Sequence, residues 1–134
     1  MFQPFLEVLR NRLGIQNFNM QENILNTTTL VLSNDMTEWG VALLYASTTN
    51  GAQNNTIRNN TITLNRSYSN TFGIYSNTRH SAFNVQLAVD ATSTNGANSN
   101  NKIYGNSINE VNMGIAIIGS GNAAAMDLGN DIGG

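Results

Sequence analysis

The sequence predicts an all-β protein, a β-solenoid of stacked coils with a short helix over its first end. Three observations predict it: short apolar elements recurring in a fixed order, an abundance of asparagine, and very little charge. Asp, Glu, Lys and Arg make up 10% of the 134 residues, against roughly 25% in a typical soluble domain. The surface is kept wet instead by 24 asparagines with many Ser and Thr neighbours. Asparagine forms helices poorly, tolerates left-handed backbone and hydrogen-bonds nearby peptide groups, so its abundance implies many tight bends.

The first repeated element is Ile57-Arg58-Asn59-Asn60-Thr61-Ile62, repeated as Ile103-Tyr104-Gly105-Asn106-Ser107-Ile108 and read again in Met20-Gln21-Glu22-Asn23-Ile24-Leu25. Each copy places an apolar residue, two spacers, an asparagine, one spacer and a second apolar residue, which suits two short strands about a bend. A second element follows each time: Trp39-Gly40-Val41-Ala42-Leu43, Phe72-Gly73-Ile74-Tyr75 and Met113-Gly114-Ile115-Ala116-Ile117. Its apolar residues alternate, as in a strand with one buried face. A third element is read at Val85 and Leu87, which precede Met126 and Leu128 by 41 residues.

Spacings of 37 and then 46 residues between copies suit coils that accept insertions between strands. Stacking about 4.8 Å apart turns equivalent positions into columns. Met20, Ile57 and Ile103 then form one internal column, and Leu25, Ile62 and Ile108 another. Asn23, Asn60 and Asn106 form a hydrogen-bonded ladder at the bend. Gly40, Gly73 and Gly114 share a strand position where a neighbour excludes a side chain.

The remaining segments are read from local signals. Pro4, the spacing of Phe5, Leu6, Leu9 and Leu13, and Gly14 predict an amphipathic capping helix within residues 1–14, ahead of coils over 15–134. Residues 76–100 hold the largest insertion, with a strand through Val85, Leu87 and Val89 and a disordered loop at 92–101. Residues 128–134 read as the start of another coil, an open end through which the chain would self-associate. Replacing Asn60 by Leu should then cost roughly 1–3 kcal/mol, and replacing Asn98, in the loop, less than about 0.5 kcal/mol.

The Asn-x-Ile and Gly-Ile-x-Ile alternation resembles the right-handed parallel β-helix repeats of the pectate-lyase-like superfamily. It is most similar to the Asn/Thr-rich repeat regions of large secreted or outer-surface proteins of Bacteroidetes-like bacteria. The resemblance covers residues 17–134 and implies an extracellular or cell-surface location. It does not select a function, because the superfamily hosts lyases, hydrolases, adhesins and phage tailspikes.

Composition excludes several classes. A net charge of −2 with scattered basic residues gives no footprint for nucleic acid. No apolar run approaches the roughly 20 residues that span a bilayer, so no membrane insertion is expected, and residues 1–13 do not read as a signal peptide. Cysteine is absent, which removes disulfides and thiolate metal ligands.

Catalysis on such a fold needs clustered carboxylates, with calcium and a basic residue in lyases or as facing acids in hydrolases. Glu22, Asp35, Glu38, Asp90, Glu110, Asp127 and Asp131 are spread along the chain instead. Asp127 and Asp131 read as turn carboxylates, and His80 as a solvated loop histidine. No catalytic residue, metal or cofactor is expected. The ligand-binding candidates are Arg58 and Tyr104, matched on adjacent coils, and Tyr75, read as projecting outward between Ala42 and Ala116. They form either a cation–π stack or a sugar-binding platform. The expected function is a structural or interaction module contacting glycan or another surface protein, the alternatives being a non-catalytic fragment of a polysaccharide lyase or glycoside hydrolase and a phage tail-fibre segment. Four Asn-x-Ser/Thr sequons, at Asn26, Asn54, Asn59 and Asn65, follow from composition alone.

Overall fold

The structure, a computed structural model, describes residues 3–8, 12–23, 25, 37–68, 70–77 and 91–133, with backbone alone for 3–8. Eleven strands occur among these residues: β1 (Gln3–Val8), β2 (Gly14–Gln16), β3 (Asn19–Gln21), β4 (Thr37–Leu43), β5 (Thr56–Arg58), β6 (Thr61–Thr63), β7 (Phe72–Ser76), β8 (Lys102–Tyr104), β9 (Ser107–Asn109), β10 (Met113–Ile117) and β11 (Asp131–Gly133). They form three sheets, ordered β1-β4-β7-β10, β2-β5-β8-β11 and β3-β6-β9. Every neighbouring pair within them is parallel. The chain therefore visits the first, second and third sheets in strict rotation, and one such passage is called a circuit below.

The three-residue strands follow from a five-residue unit. In the second circuit Asn54-Asn55-Thr56-Ile57-Arg58 is followed at once by Asn59-Asn60-Thr61-Ile62-Thr63. Each unit opens on a residue in the left-handed region. Arg12, Asn54, Asn100 and Gly129 do so before the second sheet, at φ 62°, 57°, 59° and 67°, and Asn17, Asn59 and Gly105 before the third, at 62°, 54° and 58°. Asn and Gly adopt this conformation most readily among the residue types, and Arg12 stands in it without that advantage. Thr or another polar residue, or Gly14 in the first unit, then faces out, isoleucine or Met20 faces in, and the chain bends again.

The inward residues of all three sheets meet in one core of Ile15, Met20, Val41, Leu43, Ile57, Ile62, Leu64, Ile74 and Ile103. Each fully buried isoleucine contributes about 1.5–3 kcal/mol. The columns are Ile15-Ile57-Ile103-Ile132 and Met20-Ile62-Ile108. The sequence reading had Met20 in the first column and Leu25 in the second. Ile15 takes Met20's expected place, and Leu25 is exposed.

Two asparagine ladders hold the bends, one more than expected. At the bend before the third sheet, Phe18 N–H donates to Asn60 Oδ1 (3.0 Å) and Asn60 N–H to Asn106 Oδ1 (3.1 Å). Asn60 Nδ2 donates to the Ile15 carbonyl and Asn106 Nδ2 to the Ile57 carbonyl, both at 3.0 Å. At the bend before the second sheet, the N–H groups of Leu13, Asn55 and Asn101 donate to Oδ1 of Asn55, Asn101 and Asn130 (2.9, 3.0 and 2.9 Å). Asn101 Nδ2 reaches the Ala52 carbonyl (2.9 Å) and Asn130 Nδ2 the Asn98 carbonyl (2.8 Å). Asn60, Asn106, Asn101 and Asn130 are alike, each accepting from the N–H at its own position one circuit earlier and donating to the carbonyl three residues before that, while Asn55 Nδ2 donates to Asn101 Oδ1 at 2.9 Å. Asn23 is not a rung. It lies exposed beyond β3, where its Oδ1 accepts from Leu25 N–H (3.0 Å), and Phe18 occupies the first-circuit position.

Three further expectations are corrected. Residues 3–8 form strand β1, where a helix was expected. A parallel partner on the β4 edge, with Leu6, Glu7 and Val8 opposite Val41, Ala42 and Leu43, covers an edge whose backbone groups a helix would leave unpaired. Pro4 is accommodated because β1 is an edge strand with a register shift between Gln3 and Pro4. Second, β4 and β7 are buried on both faces. Val41, Leu43 and Ile74 join the central core, while Trp39, Ala42, Leu44, Phe72 and Tyr75 form a second cluster. Strict alternation fails beside Gly40 and Gly73, where a Cβ would collide with Ile62 and Ile108 and lie 2.7 Å from the Gly73 and Gly114 carbonyls respectively.

Third, residues 91–101 are ordered, not a disordered loop, and stack between 46–53 and 118–130. Thr92 N–H bonds to the Thr48 carbonyl, and Gly51 N–H to that of Asn95. Asn98 is fully buried here. Its Oδ1 accepts from Ala52 N–H (2.8 Å), and its Nδ2 donates to the carbonyls of Leu43 (3.1 Å) and Asn77 (2.7 Å). Val85, Leu87 and Val89 lie outside the described residues.

Buried polar groups give two expectations. Asn98→Leu and Asn60→Leu should each destabilise the chain by about 2–4 kcal/mol, since both orphan buried backbone groups. Asn23→Leu should stay within about 0.5 kcal/mol. Denaturant titration of the three variants checks the order. The second concerns Glu38, which is 1% exposed on β4 and whose carboxyl burial pushes up from 4.5 to about 7. A raised pKa means that this group's stabilising contribution is complete below about pH 4.5 and is lost as pH rises through 7. Glu38→Gln should therefore match the parent near pH 4.5 and exceed its stability by about 2–3 kcal/mol at pH 8, measured by denaturant titration across that range.

Candidate functional site

The second sheet presents an outward column. Ile15, Ile57, Ile103 and Ile132 turn into the stack, so the next residue of each strand, Gln16, Arg58, Tyr104 and Gly133, turns out. Arg58 and Tyr104 do lie directly opposite each other on β5 and β8. The guanidinium is also drawn the other way, with Arg58 Nε donating to Gln16 Oε1 at 2.7 Å. Tyr104 donates its hydroxyl to the Asp131 carboxylate, and its ring carbons come within 3.3 Å of where a side chain on Gly133 would begin. The lack of a side chain at 133 thus lets the ring lie along the sheet. The bond to Asp131, followed by desolvation and the carboxylate's charge, raises the Tyr104 hydroxyl above its usual range, so it remains a neutral donor at physiological pH. The column offers one flat aromatic face, one cation, one amide and one hydroxyl, which is chemistry suited to sugar hydroxyls.

Tyr75 is not part of that surface, and its expected outward projection is corrected. Its ring is fully buried in the second cluster, 5.5 Å from that of Trp39 and 5.2 Å from that of Phe72. The small residues Ala42 and Ala116 flank it as expected, but they make room for a packed ring. Its hydroxyl accepts from Asn77 Nδ2 at 2.7 Å. Burial raises its pKa, with the Asn77 bond opposing and the charge of Glu38 adding.

Of the ladder residues, Asn60 and Asn106 stand one above the other as expected, and Asn23 stands apart. Asp127 and Asp131 are both engaged as acceptors. Asn98 N–H donates to Asp127 Oδ1 at 2.9 Å, and burial raises the Asp127 pKa against that bond. Among the described residues no three His, Asp or Glu side chains converge in a way that would hold a metal ion, and no helix is long and apolar enough to cross a membrane. Asp35, His80 and Asp90 lie outside the described residues.

A groove that sequence reasoning missed runs past the end of the third sheet. It has a volume of about 280 Å³ and is lined by Gln21, Glu22, Asn23, Thr63, Leu64, Asn65 and Glu110. Gln21, Thr63 and Asn109 are successive residues of one column, so Glu22, Leu64 and Glu110 form the next. Two carboxylates thus share a column with a leucine between them. The misplaced first repeat hid this, because it made Glu22 a spacer before a ladder asparagine.

No family model, curated protein or solved structure matches the chain.

Proposed function

We propose that the chain is a right-handed parallel β-helix of the pectate-lyase-like kind, acting as a structural or interaction module of an extracellular or cell-surface bacterial protein. The observation that carries this reading is the repeated rung, an asparagine bridging the bend of the preceding circuit. A fold built from that unit gains length without gaining charge and presents a hydrogen-bonding exterior. On that exterior the column of Gln16, Arg58 and Tyr104, with Asp131 bonded to the tyrosine hydroxyl, is the glycan-binding or protein-binding face, and Asn60 and Asn106 are structural. The chain itself performs no catalysis and takes no cofactor under this reading.

The rival reading, a fragment of a polysaccharide lyase or glycoside hydrolase, would draw on Glu22 and Glu110 in the groove beyond the third sheet. Leu64 between them is difficult to reconcile with a pair of cooperating acids, which must both reach one glycosidic bond.

The two readings separate experimentally. The purified chain should bind oligosaccharide in the millimolar range, about −4 kcal/mol, in a titration followed by amide chemical shifts. Tyr104→Ala should abolish the response while leaving the denaturation midpoint nearly unchanged, because the ring lies outside both apolar clusters. Depolymerisation of polygalacturonate or alginate that Glu110→Gln removes would establish the enzymatic reading instead.

A further inference from the structure

A third ladder, with one asparagine and one aspartate, joins residues 46–53, 91–101 and 118–130. Ala52 N–H donates to Asn98 Oδ1 (2.8 Å), and Asn98 N–H donates to Asp127 Oδ1 (2.9 Å). These links span 46 and 29 residues, the same separations as Asn55 to Asn101 and Asn101 to Asn130 in the neighbouring ladder. Asp127 therefore holds an asparagine's place. Its Oδ1 does what an asparagine oxygen does, but its second oxygen replaces the NH2 group of the other rungs. At Asn98 that group donates to the carbonyls of Leu43 and Asn77. At Asp127 the corresponding Oδ2 is closed off from solvent and has no hydrogen-bond partner. A carboxylate offers acceptors alone, whereas a carboxylic acid offers one O–H, so a proton supplies the donor that the position lacks.

We infer that Asp127 is a protonation switch in this ladder: as the acid it is an asparagine-like rung, and as the carboxylate it leaves a buried, unpaired oxygen that loosens the packing of 118–130 on 91–101. Asp127 is the only charged residue of the three stacked segments, so nothing on them offsets its charge. Around them, Asp131 follows on β11 with its carboxylate engaged by the Tyr104 hydroxyl. Lys102 stands on β8, and Glu38 and Tyr75 lie on β4 and β7. Among the described residues the bond from Asn98 is the one hydrogen bond that Asp127 makes. Burial raises its pKa and that bond opposes the rise. The stabilising contribution of the acid form is therefore complete below the ordinary aspartate value of 3.8, and it is lost as pH rises through the folded-state value.

The test follows the carboxyl carbon signal of Asp127 by NMR, together with amide exchange in the intact chain. The Asn98 amide reports this ladder, and the Asn60 amide, which donates to Asn106, reports another. The ratio of their protection factors cancels changes in global stability, including the change that Glu38 causes. The carboxyl should titrate above 3.8, and the Asn98-to-Asn60 ratio should fall severalfold as pH rises through that midpoint. Asp127→Asn should hold the ratio at its acid value at every pH. Asp127→Ala, which lacks donor and acceptor alike, should give a low ratio that does not depend on pH. Titration at or below 3.8, a ratio that stays flat across the midpoint, or an Asp127→Asn ratio matching the parent at neutral pH would each overturn the switch. So would recovery of the acid ratio at neutral pH on adding calcium ions, because a bound cation rather than a proton would then complete the rung. The titration and the ratio are read on the unaltered chain, so they decide the matter even where a variant does not fold.

Discussion

Every circuit must turn between strands, and a tight bend removes backbone amides from both the sheet ladder and the solvent. A buried N–H without an acceptor costs about 1–3 kcal/mol, so bends repeated in each circuit would dissolve a fold of this size. The asparagine rung resolves the conflict with one side chain. Its oxygen takes the N–H at the bend and its amide nitrogen takes a carbonyl three residues earlier. The bends before the second and third sheets use it repeatedly. At the segment entering the first sheet Asn112 makes only the donor half of this arrangement, its Nδ2 donating to the Tyr68 carbonyl, while its own N–H donates to the Thr71 carbonyl. Core columns, strand length and register all follow from these fixed corners.

The sequence made the all-β class, the parallel repetition and the Asn60–Asn106 pair legible, because Ile-x-x-Asn-x-Ile is a strict pattern in two circuits. It misled in the first circuit, where Phe18 replaces the asparagine. Searching for asparagine then slid the alignment by five residues, onto Asn23. A search for isoleucine or methionine five residues apart would have found Ile15 and Met20. The second ladder was legible as well, since Asn-Asn-Thr-Ile occurs twice in succession at 54–57 and 59–62, but a repeat taken to begin at Ile57 leaves Asn54, Asn55 and Thr56 out.

Other errors came from judging segments by composition. Ser, Thr, Asn and Gly at 92–101 looked like a solvated loop, yet small polar residues are also what a buried, closely stacked corner requires. Gly96 can approach the Thr48 carbonyl only because it lacks a side chain. Likewise the helical spacing of Phe5, Leu6 and Leu9 was weighed without the free edge of β4, a tertiary partner that overrides local propensity. Tyr75 illustrates the reverse case: the continuous apolar run from Val41 to Leu44 already suggested a sheet covered on both faces.

The rungs also have a direction. Each asparagine serves the circuit before it and leaves its own backbone amide to the circuit that comes after. During synthesis, when the amino-terminal part emerges first, each circuit added completes the one already formed, and unsatisfied groups are confined to the newest turn. Contacts between circuits link residues 42 or 46 positions apart in the rungs joining the first three circuits, a separation that ordinarily slows folding through loop-closure entropy. A stack that offers the arriving segment a ready template limits that search to one circuit at a time, and growth from the ribosome proceeds in the same direction as hydrogen-bond satisfaction.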